Sequence, residues 1–178
     1  MLLRTLLLLL LAGTAHWLNA QQNTPIPVTV RLATHGSVVF KPAPSAGEAK
    51  QFGLQSSDAT LVRQLENRNG LLIYTPEAAK GKEHALFTVG LLKNHRLDMQ
   101  LAKSEVRFEE IDNAVTGSIT SGNVIVTGGK AHVSLQLQSG DITVRQSQWR
   151  GSAMTQKGNI LLEDSTLLGA QRLLSTFT

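Results

Sequence analysis

Apolar positions in the second half of the chain recur with a period of eighteen residues. When residues 103–120, 121–138, 139–156 and 157–174 are aligned, two columns two positions apart are apolar in every segment. Side chains two positions apart on a strand point to the same side, so each segment contains a strand with one buried side. The two predicted core columns are Val106, Val124, Ile142 and Ile160, and Phe108, Val126, Val144 and Leu162.

A second strand is predicted in each repeat. Residues 133–138 alternate apolar and polar side chains, and residues 115–120 occupy the same positions one repeat earlier. Two strands cannot bury their own apolar side, whereas copies stacked about 4.8 Å apart build a continuous core. The sequence therefore predicts an all-β fold, a β-helix-like β-solenoid with an 18-residue repeat.

Glycine stands at the same point of three repeats, and each time Asn or Asp follows it. A coil must turn sharply there, and glycine adopts positive φ without steric cost. Some aspartate-rich β-rolls bind calcium with such a column, but one carboxylate among three positions supplies too few oxygen ligands. We therefore expect structural turns, and no metal or cofactor site, at Gly122, Asn123, Gly140, Asp141, Gly158 and Asn159.

Upstream of the regular repeats the pattern continues out of phase. Residues 34–40 resemble the same strand opening, and irregular first coils are typical of a stack whose end is covered. Residues 58–68 fit either a short helix or a strand of mixed exposure. We predict one β-solenoid domain over residues 21–178, with irregular coils at 28–102 and regular repeats at 103–174.

The first twenty residues are typical of a secretory signal peptide. Arg4 precedes a short apolar run, and small residues follow at 12–15 and again at Ala20. The run is too short for a stop-transfer helix. We expect cleavage after Ala20, with Ala15 as the alternative, and an exported protein in the periplasm or at the cell surface. No transmembrane segment is expected after cleavage. The sequence has no cysteine, so packing and strand pairing must stabilise it.

The charge is mildly basic and unevenly distributed. The chain has 17 Lys and Arg and 13 Asp and Glu, for a formal net charge of +4. Residues 21–103 carry ten basic and six acidic side chains. A solvated surface explains this bias most simply, and attraction to lipid head groups or acidic polysaccharide is the alternative. Export and the few aromatic residues argue against nucleic acid.

Candidate chemistry is sparse. No histidine lies three to five residues from another histidine or a cysteine, so the usual zinc spacings are absent, and no nucleophile or phosphate-binding motif occurs. Glu109, Glu110 and Asp112 form the one acidic cluster that a carbohydrate-active β-helix could use, although a solvated corner is the commoner explanation. Trp149 either covers the end of the core or offers a platform for sugar stacking. We therefore expect no catalytic residues and no enzymatic activity.

The strand openings Ser-Gly-Asn-Val-Ile-Val at 121–126, Ser-Gly-Asp-Ile-Thr-Val at 139–144 and Lys-Gly-Asn-Ile-Leu-Leu at 157–162 resemble those of the bacterial putative-adhesin β-repeat family. These are secreted envelope proteins of largely undefined biochemistry, and the resemblance covers about residues 28–174. It implies a β-solenoid with an adhesin-like or scaffolding role. It carries over no catalytic residues.

These observations predict a non-enzymatic secreted envelope protein. The alternatives are a carbohydrate-active β-helix enzyme and a polymerising structural subunit. An envelope protein or an anionic surface polymer is the expected partner, bound by the basic first half or by an open strand edge. That candidate interaction edge comprises Leu167, Leu173 and Phe177.

Overall fold

The computed structural model of the chain describes residues 25–43, 45, 55–56, 63–67, 70–74, 85–130, 132–169 and 172–175. All regular structure in these residues is β-strand. The predicted signal peptide and Phe177 lie outside them. The strands are β1 (Ile26–Pro42), β2 (Gln55–Ser56), β3 (Arg63–Asn67), β4 (Gly70–Tyr74), β5 (Ala85–Leu91), β6 (His95–Glu109), β7 (Ala114–Ser121), β8 (Val124–Thr127), β9 (His132–Ser139), β10 (Ile142–Arg145), β11 (Gln148–Lys157), β12 (Ile160–Glu163), β13 (Thr166–Leu167) and β14 (Arg172–Ser175).

Strands of the second half pair in parallel with the strand eighteen residues away. Val124 of β8 lies opposite Ile142 of β10, which lies opposite Ile160 of β12. The same offset relates β7 to β9 and β9 to β11. Apolar positions that recur in the sequence therefore lie side by side in the sheet. The predicted all-β class is confirmed.

The sheet curls around β6. The first half of this strand pairs with β7 and its second half with β8. Eight strands follow one another in the order β12-β10-β8-β6-β7-β9-β11-β13. Leu97 and Val106, on the two halves of β6, belong to the same hydrophobic core. The two limbs of the curled sheet thus enclose one core, and each limb has an outward side.

The first strand is inserted into the stack rather than placed at its end. β1 pairs in parallel with β6 on one side and with β4 and β5 on the other. β3 and β2 run antiparallel to β4 and β5, beyond them. Within the segment 58–68, for which the sequence left helix or strand open, the described residues 63–67 form a strand, and the rest lies outside the described residues. These antiparallel strands cover edges that would otherwise be free.

The side chains that face the core combine large residues on one strand with small residues on the next. Met99, Gly117, Leu135 and Ala153 lie in one column, where large and small residues alternate. A Cβ on Gly117 would lie 2.8 Å from Met99 Cε, so the glycine leaves room for its neighbour. In the other limb the rings of Phe40 and Phe108 stack with centroids 5.1 Å apart.

The predicted core columns face inward, and their burial decreases toward the last strand. Six of the eight residues are at most 1% exposed. Ile160 and Leu162 of β12 are only partly buried against the same core, because β12 is the last strand of its limb. The six fully buried members are Val106, Phe108, Val124, Val126, Ile142 and Val144.

The register slips near the end of the predicted repeats. Gln148 lies opposite Thr166 at the usual offset of 18 residues, but Ser152 lies opposite Arg172 at an offset of 20. Two extra residues between β13 and β14 account for the difference. Leu173 therefore lies opposite Ala153, and the regular spacing predicted through residue 174 ends after Leu167.

Candidate functional site

The glycine-containing corner is a backbone turn with a ladder of polar side chains. Gly122, Gly140 and Gly158 have φ values of 138°, 128° and 150°, in the region that favours glycine. The Oδ1 atom of Asn123 accepts the backbone N–H of Asp141 at 3.0 Å. The carboxylate of Asp141 in turn accepts the N–H of Asn159 at 2.7 Å. These side chains satisfy backbone donors between coils.

No metal centre is apparent at this corner or elsewhere in the part of the chain that the structure describes. In those residues no group of three or more His, Cys, Asp or Glu side chains is placed to hold an ion. The carboxylate of Asp141 is occupied by the backbone of the next coil. The corner ladder is therefore built for strand stacking.

A second corner repeats with the same period, and no column of glycines marks it in the sequence. Glu110, Gly128, Gln146 and Asp164 all have φ between 48° and 69°. Only one of the four is glycine, so no composition signal marks the column. The Ser147 hydroxyl secures this corner by donating to the Gly128 carbonyl at 2.8 Å. The spacing of polar residues at eighteen positions was the one available clue.

Of the acidic cluster predicted at Glu109, Glu110 and Asp112, the first two line one cavity of about 640 Å³, and Asp112 does not line it. Lys41 Nζ lies 2.9 Å from Glu109 Oε2. Asp112 Oδ1 accepts the backbone N–H of Lys130 at 2.8 Å. Glu110 is exposed at the second corner. Two of these three acids thus bind neighbouring coils.

Trp149 is part of the core. Its side chain is 1% exposed, so it offers no surface on which a sugar ring could stack. The indole Nε1 has no hydrogen-bond partner among the described residues. Two roles were considered for this residue, and its burial agrees with covering the core and not with stacking on a sugar.

The turn before β6 is held by buried polar groups. The Asn113 side chain donates to the carbonyls of Leu92 and His95, at 2.7 and 2.8 Å. The Leu92 backbone N–H lies 3.2 Å from His95 Nδ1, which accepts its hydrogen. Burial lowers the pKa of His95 below its ordinary value of 6.5, because desolvation disfavours the imidazolium form.

The outward side of β8, β10 and β12, together with the second halves of β1 and β6, is called the mixed face. Lys41 pairs there with Glu109, and Arg145 Nε donates to Glu163 Oε2 at 2.6 Å. Arg107 lies in register with Ile125 on this face. Opposite charges are thus largely matched on the mixed face.

The outward side of the other limb is called the polar face. It is formed by the first halves of β1 and β6 and by β7, β9 and β11. Its side chains form rows across the strands, and most are Ser, Thr, Gln or Arg. The Ser134 and Ser152 hydroxyls hydrogen-bond at 2.8 Å across one row. The three rows are Pro27, Arg96, Ala114, His132 and Arg150; Thr29, Asp98, Thr116, Ser134 and Ser152; and Arg31, Gln100, Ser118, Gln136 and Met154.

The polar face carries unmatched positive charge. Arg31, Arg96 and Arg150 are exposed, and none of their guanidinium groups pairs with another described residue. Asp98 is the single acid in the three rows. At the end of the same strands Lys103 is exposed as well. With three arginines and one acid in its rows, the polar face therefore carries net positive charge.

A groove opens on the polar face where β1 is irregular. The pairing of β1 with β6 shifts by one residue between Leu32 and His35, as in a β-bulge, which can re-aim side chains. The groove has a volume of about 700 Å³. Its lining residues are Arg31, Leu32, Ala33, Leu72, Tyr74, Gln100, Leu101, Ala102, Ser118 and Thr120.

A second cavity begins at the next residues of β6 and β7. It has a volume of about 500 Å³ and is lined by Lys103, Ser104 and Ser121 among others. Ser104 lies eighteen residues before Gly122, at the position where the later repeats have glycine. Gly122 approaches the Ser104 carbonyl closely. The Ser104 hydroxyl is buried and has no hydrogen-bond partner among the described residues.

The last coil exposes apolar side chains. Leu161 of β12 is 48% exposed and Leu167 of β13 is 40% exposed. Leu173, also predicted at the interaction edge, packs partly buried against the core. The structure thus places two of the three predicted edge residues at the end of the stack, while Phe177 lies outside the described residues.

None of the described segments forms a helix that is long and apolar enough to cross a membrane.

No protein family matches the sequence, and no curated protein is significantly similar to it. Among solved structures, the chain is similar to one described as a "putative cell adhesion protein" from Clostridium sporogenes. The two share 10% sequence identity at a TM-score of 0.51, and the likeness covers 86% of this chain and 94% of that chain. At this identity the likeness concerns the fold.

Proposed function

We propose that this chain is a non-enzymatic, exported envelope protein, a short β-solenoid with an 18-residue repeat that presents an adhesin-like binding surface. The parallel pairing at an 18-residue offset supports the solenoid. The likeness in fold to a protein described as a putative cell adhesion protein supports the adhesin-like role. The signal-peptide pattern of residues 1–20 supports export.

The observation that carries the proposal is the unmatched charge of the polar face. Exposed cations without a partner attract anions, and rows of hydroxyl and amide groups offer many hydrogen bonds. Both ion pairs between described residues lie on the mixed face. The binding surface is therefore the polar face, and the partner is an anionic polymer of the cell surface.

The absence of catalysis is part of this proposal. Glu109 is paired with Lys41 and Asp112 with the Lys130 backbone, so neither stands free as a general acid or base. Incubation of the protein with acidic and neutral glycans should release no reducing ends and no unsaturated sugars. Release that Glu109→Gln or Asp112→Asn abolishes would establish the carbohydrate-active alternative.

Affinity chromatography tests the binding surface. The protein should be retained by an immobilised polyuronate and not by an uncharged glucan. Replacing Arg96 and Arg150 together by Gln should weaken retention at least tenfold, while replacing Arg107 and Lys130 should change it less than twofold. Both variants lose two positive charges, so net charge is matched. Passage of the wild-type protein through the polyuronate column, or equal weakening by both variants, would contradict the proposal.

A polymerising subunit is the second candidate, because Leu161 and Leu167 are exposed at the end of the stack. Exposed strand edges can pair with another chain. At the opposite end, however, antiparallel β2 and β3 lie beyond the parallel strands, which disfavours end-to-end stacking in one direction. Light scattering distinguishes the two. A molar mass that increases with concentration would support polymerisation, and a constant monomer mass would contradict it.

A further inference from the structure

The groove beside the β1 bulge contains the only tyrosine of the chain. Tyr74 is partly exposed and lies opposite Arg31 in the pairing of β4 with β1. Arg31 lies opposite Gln100, and Gln100 lies opposite Ser118. An aromatic ring, a guanidinium, an amide and a hydroxyl thus stand on four successive strands, about 4.8 Å apart.

Each of these groups recognises a different part of an acidic sugar. A guanidinium binds a carboxylate through two parallel N–H···O bonds. An aromatic ring supplies an apolar surface with a polar tip, against which the C–H side of a sugar ring can pack. Amide and hydroxyl groups both donate to and accept from sugar hydroxyls. Within the polar face these four types of group meet only in this groove, in the part of the chain that the structure describes.

The geometry points to a site for an acidic glycan: we propose that this groove binds a uronic-acid unit, with its carboxylate on Arg31 and its ring against Tyr74. The inference rests on the proposed function and assigns that function a specific site. Lys103, exposed on the second cavity along the same strands, provides a cation for the neighbouring acidic unit of the polymer.

The composition of the site favours a glycan over a lipid surface. A membrane attracts the summed charge of a whole face and does not require an aromatic ring beside a cation. The shallow groove instead places the Tyr74 ring and the Arg31 guanidinium on neighbouring strands, a pair that suits the ring and the carboxylate of one sugar acid.

Calorimetric titration of the full-length protein with an oligogalacturonate tests the site. Arg31→Gln should weaken binding at least tenfold, and Tyr74→Ala at least fivefold. The matched control is Arg107→Gln, which removes one exposed positive charge from the mixed face and should leave affinity within twofold. A neutral oligosaccharide of the same length should bind at least tenfold more weakly to the wild-type protein.

The outcomes separate this inference from the proposed function. If replacing Arg96 and Arg150 weakens retention on the polyuronate but Arg31→Gln leaves affinity within twofold, as Arg107→Gln does, the groove is not the site while the polar face remains the binding surface. If neither the polymer nor the oligomer binds, the proposed function fails as well. A third outcome is that the oligogalacturonate does not bind, whereas vesicles containing anionic phospholipid do and Arg31→Gln weakens their binding at least tenfold. This outcome would assign the face to a membrane and overturn the glycan site.

Discussion

Replacing Gly140 by Ala is expected to destabilise the protein by about 3 kcal/mol. The residue has φ of 128°, a conformation that costs a non-glycine residue about 1–3 kcal/mol. Its Cβ would also overlap the carbonyl oxygen of Gly122, a backbone atom that cannot rotate away. Relief requires the two coils to separate, which weakens ladder bonds between them such as that from Gly122 N to Ser139 O, 3.0 Å long. Each such bond contributes about 1 kcal/mol.

Urea unfolding followed by circular dichroism measures this loss, and two alanine variants serve as controls. Gly117→Ala adds the same methyl group, but its Cβ would meet the side chains of Met99 and Leu135, which can rearrange. We expect a loss of about 1 kcal/mol there, the low end of the cost of overpacking a core. Ser139→Ala should have almost no effect. Equal losses for Gly140→Ala and Gly117→Ala would refute the close backbone approach at the corner.

Three further predictions concern buried groups. Val144→Asp should lower the free energy of unfolding by several kcal/mol, because it buries a carboxylate without a partner. The neighbouring outward variant Thr143→Asp should lower it by less than about 1 kcal/mol. Similar melting temperatures for the two variants would contradict the inward assignment of Val144. The pKa of His95 is lowered in the folded protein, so its contribution to stability is complete above the unfolded value of 6.5 and is lost as pH falls through the lowered value. His95→Gln should therefore make the loss of stability between about pH 7 and 5 smaller than in wild type, and an identical pH profile would contradict this. Ser104→Ala removes a buried hydroxyl without a partner and should be neutral or stabilising in urea unfolding, whereas a loss above about 1 kcal/mol would reveal a contact of that hydroxyl.

The core of the second half could be predicted because its buried apolar positions recur with one period. Val124, Ile142 and Ile160 recur at one spacing, and parallel stacking places equal spacings side by side. The glycine corner was visible for the same reason. The second corner was not, since Glu110 and Gln146 adopt positive φ although their type does not favour it.

The first half could not be predicted in detail, because its pairing follows no period. β1 lies between β6 and the later pair β4 and β5, an order that no local pattern encodes. The candidate site depends on this insertion. Arg31 and Tyr74 are far apart in the sequence and become neighbours only because β4 pairs with β1. Charge composition showed a basic first half, but the placement of Arg31 and Arg96 on the same face as Arg150 required the register.

Engineered disulfides test the central claim, that coils stack in register at eighteen residues, most directly. The chain has no cysteine of its own. Ile125 and Thr143 lie opposite each other, partly exposed, on β8 and β10, and neighbouring strands about 4.8 Å apart allow a disulfide between paired positions. Thr127 and Thr143 differ by two positions in register, which places them about 8 Å apart, beyond that range. After mild oxidation and proteolysis, mass spectrometry should find an intrachain cross-link in Ile125→Cys/Thr143→Cys and none in Thr127→Cys/Thr143→Cys. Cross-linking of the second pair alone, or of both pairs equally, would contradict the eighteen-residue stack.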